Sequence, residues 1–189
     1  ALRDEELFAG RVVIDLSALD NAEAKAVVMG VLLMRLREFR TAHGAPDNRP
    51  LEHLFVLEEA HTLLARQQAL ARNDGNGDTA SAKAVTMLSS SIAEMRGYGQ
   101  SVLLCDQSPG QLDSGALRNT STKIVFRISE TEDQKAVSSA MALSDEQAGE
   151  LPRLPNHVAA IKQANWMEPV LAQIATPSFQ RRPAATGER

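Results

Sequence analysis

The chain of 189 residues has one cysteine, one tryptophan and one tyrosine, and aromatic residues make up only 4% of it. A lone cysteine excludes an intramolecular disulfide. Cys105 lies in the apolar run "SVLLC" and reads as a small buried hydrophobe, which fits a cytoplasmic setting. With so few aromatics the core must be aliphatic. A basic excess is also lacking: the net charge is -4. That excludes a surface that wraps nucleic acid over its whole extent, so any such contact is local. No apolar run approaches the length of a membrane span. The start, "ALRDEELFAG", has neither the basic end nor the apolar core of a signal peptide.

What remains is a globular composition, 43% apolar and 23% charged, long enough for one domain. Six apolar runs read as strands: Val12–Leu16, Leu54–Leu57, Ser101–Cys105, Lys123–Ile128, Val158–Lys162 and Pro169–Ile174. The first three are continuous rather than alternating, the pattern of parallel strands buried on both faces. Helical patterns lie between them. Asp20–Phe39 carries Ala24, Val27, Val28, Val31, Leu32, Leu36 and Phe39 on one stripe, with Asp20 or Asn21 as its cap. Ala80–Met95 and Thr131–Ala142 read as two more, the last capped by Thr131 or Ser129. Strand and helix alternate, so the expected class is α/β, a mainly parallel sheet flanked by helices, with an antiparallel hairpin formed by the last two runs. Residues 1–176 form one unit, and the tail 177–189 is expected to be disordered.

The sequence "LFVLEEAHTLL" puts Glu58 and Glu59 directly after a buried run. In open α/β sheets, ligands bind at the carboxyl ends of the strands. Successive residues of an extended chain point to opposite sides, so the two carboxylates can do different work. One can orient hydrated Mg²⁺, which prefers carboxylate oxygen and keeps its waters. The next can polarise a water towards a phosphate. The plainer alternative is an acidic helix start favoured by the helix dipole. "SVLLCDQSPGQL" then places Asp106 and Gln107 at the same end of another strand, where an amide can sense a terminal phosphate. "SPG" is also a turn signal in its own right.

Taken in order, "VLEEAHTLL", "MRGYGQSVLLCDQSPGQL" and "LRNTSTKIVFRISETEDQKAV" resemble consecutive blocks of the HerA/FtsK-type P-loop ATPases, most closely the HerA-like proteins. "RVVIDLSAL" with the helix after it resembles the segment before their Walker B strand. The likeness spans roughly residues 10–175. It implies a RecA-like core, ATP with Mg²⁺, and a hexameric ring acting on DNA, with a nuclease as a possible partner. By position, Glu58 resembles the Walker B acid that holds Mg²⁺ through water, where aspartate is common. Glu59 resembles the catalytic glutamate and Gln107 the sensor. Arg96 matches an arginine that can sense the γ-phosphate. Arg118 and Arg127 are further arginine candidates, and the sequence does not say which crosses a subunit boundary.

Such an ATPase needs G-x-x-x-x-G-K-[ST], whose amides and lysine hold the phosphates. The five lysines are Lys25, Lys83, Lys123, Lys135 and Lys162, and none follows a glycine. The expectation is therefore the C-terminal part of an ATPase, its P-loop lying upstream or in another chain, and no hydrolysis by these residues alone. A conjugation or secretion ATPase, or a non-catalytic ring module that recruits an effector, are the alternatives. His61 reads as a packing residue, since His43, His53 and His157 offer no zinc spacing. Arg35, Arg37 and Arg40 read as a solvated helix end. Arg66 and Arg72, before the polar loop "NDGNGD", are the better candidates to line a pore.

Overall fold

A computed structural model describes residues 3–43, 50–65 and 79–175, with only the backbone given for 79–84. The tail from Pro177, the "NDGNGD" loop, Arg66 and Arg72 lie outside the described residues.

After a short helix α1 (Asp4–Phe8) comes the long α2 (Ala22–His43). Asn21 opens α2 as expected, its Oδ1 accepting the Glu23 amide at 2.7 Å. The buried stripe of α2 is Met29, Leu33 and Leu36, at i, i+4 and i+7. Val27 and Val31, expected on that stripe, are 65% and 52% exposed. They lie two residues from Met29 and Leu33, about 200° round the helix.

Strand β1 (His53–Glu58) pairs in parallel with β2 (Gln100–Cys105), Leu54 opposite Ser101 and Glu58 opposite Cys105. Helix α3 (Thr79–Met95) makes the crossover and ends in a 3₁₀ turn, Arg96–Tyr98. Gly99 takes φ 72° there, a left-handed step that glycine makes without penalty. One face of this sheet meets the first core, where Leu33, Leu36, Leu57, Leu64, Met95 and Leu112 are enclosed. Each such side chain contributes on the order of 2 kcal/mol, so packing rather than propensity holds α2 in place. The other face is bare: Leu54, Val56 and Leu103 are each nearly half exposed. The expectation of strands buried on both faces is met on one face only.

Helix α4 (Ser114–Asn119) follows a 3₁₀ turn, Pro109–Gln111. Asp113 caps it, accepting from the Gly115 and Ala116 amides. Strand β3 (Thr122–Val125), α5 (Thr131–Met141), α6 (Asp145–Glu150), β4 (Val158–Gln163) and β5 (Val170–Gln173) complete the described chain. The second sheet has the order β3-β4-β5 and is antiparallel throughout. Its core is Val125, Val137, Met141, Leu151, Leu154 and Ala160. Glu130, not Thr131 or Ser129, takes the N-cap position of α5. The fold is mixed α/β, and the expected C-terminal hairpin is present as β4–β5.

Val12–Leu16 is not a strand. Val13 is 95% exposed, and only Leu16 packs on the first core. Apolar β-branched residues favour a strand only where a neighbour supplies the ladder and the packing. Among the described residues this run has no paired neighbour.

Candidate functional site

The carboxyl ends of β1 and β2 form the site. Because the strands are parallel and in register at Glu58 and Cys105, the next residues, Glu59 and Asp106, emerge side by side. Glu59 has φ 50° and ψ 52°, a left-handed backbone at a residue that is not glycine. Such a conformation costs about 1–2 kcal/mol. It turns the chain sharply out of β1 into the 3₁₀ turn Ala60–Thr62 and separates the directions of Glu58 and Glu59.

Gln107 donates its Nε2–H to Glu59 Oε1 at 3.1 Å. Both side chains are exposed, so the amide and the carboxylate stand together at the open rim of the sheet. Glu58 is exposed as well, and beside it the Cys105 thiol is pushed up, first by burial and then by the Glu58 charge and its hydrogen bond. Asp106 is the contrasting group, its side chain only 4% exposed. It accepts the His61 backbone amide at 2.7 Å and the Ser108 amide at 2.8 Å. His61 Nδ1 lies 3.0 Å from the same carboxylate and 3.6 Å from Glu59 Oε2.

Glu59, His61 and Asp106 offer ligand atoms within 4.8 Å of one another. The hydrogen bonds already account for that closeness, and a hard cation that prefers all-oxygen ligands gains nothing from the imidazole. Glu58, an exposed carboxylate at a strand end, is the donor that suits water-bridged Mg²⁺.

The arginines divide. Arg96 Nη1 donates to Ser121 Oγ at 2.6 Å. It precedes β2, so a six-residue strand, about 20 Å at 3.3 Å per residue, separates it from Gln107. The structure does not bring Arg96 to Glu59 within this chain. The Arg96–Ser121 bond joins the start of β2 to the start of β3. At the other end, the Gly110 amide donates to Asp133 Oδ1 at 2.7 Å, joining the loop after β2 to the helix after β3. The two strands therefore run the same way, and Arg127 comes out at the end that carries Gln107. Its Nη2 donates to Asn156 Oδ1 at 3.3 Å. Arg118 is exposed in the last turn of α4.

Between β2 and β3 lies an open cleft of about 770 Å³, which Val102, Leu104, Ile124 and Phe126 help to line. The facing edges of β2 and β3 have no strand partner among the described residues. Arg96, Gln107, Ser121 and Arg127 are all among its lining residues.

No family model and no curated protein sequence matches the chain. Solved structures do. The genome packaging NTPase B204 of Sulfolobus turreted icosahedral virus 2, in complex with AMPPCP, aligns over 94% of this chain and 73% of its own, with TM-score 0.63 and 13% identity. The same protein with ATP-gammaS gives TM-score 0.61 at 15% identity over 93% of this chain and 73% of its own. VirB4 of Thermoanaerobacter pseudethanolicus gives TM-score 0.61 at 18% identity, over 89% of this chain and 42% of its own. The fold is that of part of a P-loop NTPase. At these identities the likeness is one of fold.

Asp106 and His61 were visible in the sequence without their roles. The signal that could have found them is register: two acids that each follow the same parallel pair must lie side by side.

Proposed function

We propose that the chain is the Walker B and sensor portion of an ATP-hydrolysing motor of HerA-like type that moves DNA as a hexameric ring. The observation that carries this reading is the 3.1 Å bond between Gln107 Nε2 and Glu59 Oε1 at adjacent parallel strand ends. Glu59 polarises the attacking water, and Gln107 holds that carboxylate and senses the terminal phosphate. Glu58 would hold Mg²⁺, an ion that prefers carboxylate oxygen and keeps its waters. Bound Mg²⁺ supplies neutralisation of phosphate charge. Arg127 stands at the same strand end and, among the described residues, is the arginine best placed. Arg96 and Arg118 are left for contacts made from other directions, across a subunit boundary included. The phosphate-binding loop comes from a segment outside these residues, and its strand fills the cleft between β2 and β3, where two edges without a strand partner among the described residues run the same way.

ATP hydrolysis by the 189-residue chain alone tests the division of labour. None above background is expected. Turnover that Glu59→Gln abolished would show that the phosphate-binding element lies within these residues. A conjugation or secretion ATPase of the same superfamily is the second reading, favoured by the likeness to VirB4. The first reading expects turnover to be stimulated by duplex DNA, and turnover indifferent to DNA would count against it.

A further inference from the structure

We propose that Asp106 is the positioning residue that locks the Glu59 loop to the Gln107 loop, and that it does so through His61 held with its proton on Nδ1. The proposal rests on the reading of Glu59 and Gln107 as ATPase residues. Glu59 and Gln107 belong to different loops, and a hydrogen bond between two exposed side chains cannot by itself fix where either stands. Asp106 can. It is nearly fully enclosed, and its two oxygens reach both loops. One takes the His61 amide two residues after Glu59, and the other takes the Ser108 amide one residue after Gln107. A carboxylate only accepts, so His61 Nδ1, 3.0 Å from Oδ2, must donate. That fixes the tautomer and sets the imidazole against Glu59 Oε2 at 3.6 Å. The left-handed backbone of Glu59 needs such a restraint, because a strained residue persists only where its surroundings over-determine it. Asn at 106 would keep the shape and leave one oxygen, enough for one loop and not for both.

Two arms test the proposal. In the 189-residue chain at pH 8, nitrogen NMR of His61 should show a protonated Nδ1 and an unprotonated Nε2. Asp106→Asn should speed exchange of one of the two amides, His61 or Ser108, by at least about tenfold, since one of them loses its buried acceptor. In the protein that also carries the phosphate-binding segment, Asp106→Asn should lower kcat by roughly tenfold to a hundredfold with KM for ATP little changed, as for misplaced catalytic groups. A wild-type His61 with its proton on Nε2 overturns the proposal, and that measurement needs no variant to fold. Unchanged amide exchange or unchanged kcat in Asp106→Asn overturns it too. If instead hydrolysis proves indifferent to Glu59 while the NMR pattern holds, the ATPase reading fails and the tie between the loops stands.

Discussion

Glu58 and Glu59 are neighbours in sequence with different surroundings. Glu58 closes β1 and acts on Cys105, while Glu59 turns out of the strand towards Gln107. Because burial first and Glu58 second hold the Cys105 thiol up, less thiolate is present at pH 8. Alkylation by iodoacetamide at that pH should be slow, and Glu58→Gln should speed it by removing the like charge. An unchanged rate would mean that Glu58 does not act on Cys105.

His53 gives a second residue-scale prediction. Its Nδ1 lies 2.9 Å from Gln100 Oε1, which also accepts from Arg40 Nε at 3.0 Å. Burial pushes the His53 pKa down, with the Arg40 charge adding to the shift and the Gln100 bond opposing it. The neutral form is favoured in the folded state, so this contribution is present above the usual histidine value near 6.5 and is lost as pH falls below it. Urea midpoints measured at pH 7.5 and 5.5 should fall between the two, and His53→Asn, which keeps an N–H donor, should show a smaller fall.

At the scale of elements, turns and loop ties carry the geometry. Ala142 ends α5 with φ 51°, the same left-handed region that Glu59 occupies. Ala142→Gly and Glu59→Gly should each raise the free energy of unfolding by about 1 kcal/mol, read by urea titration. Gly110 is the opposite case. A Cβ there would lie 2.8 Å from Asp133 Oδ1 and 3.3 Å from the Asp133 and Glu132 backbone. Gly110→Ala should cost about 1–3 kcal/mol and loosen the loop after Gln107.

Much of this level was legible in the sequence. The helices at 22–43, 79–95 and 131–141 and the strands after residue 50 follow their apolar patterns. That Glu59 and Gln107 come out at strand ends was legible too, because each stands two places after an apolar run. Val12–Leu16 was not, since its pattern is that of a strand while a strand also needs a neighbour. Nor was the role of Asp106, which depends on register and not on its own motif. The short helices at 114–119 and 145–150 announce themselves only through caps, Asp113 and the Ser144–Gln147 capping box.

At the scale of the molecule, two sheets face each other across a cleft, with tie points at both ends: Arg96 to Ser121, and Gly110 to Asp133. Leu103, Ile124 and Phe126 remain 44–53% exposed around it. Covering apolar surface contributes about 25 cal/mol per Å², so these groups favour a strand laid between β2 and β3. Among the described residues no helix is long and apolar enough to cross a membrane.

The central claim is that Glu59 performs general-base work on a phosphate-directed water. The most direct measurement is steady-state ATP turnover by the protein carrying the phosphate-binding segment, wild type against Glu59→Gln. The account predicts a fall in kcat of roughly 10²–10⁴-fold, with ATP binding retained. An unchanged kcat in a folded, ATP-binding Glu59→Gln protein would contradict it.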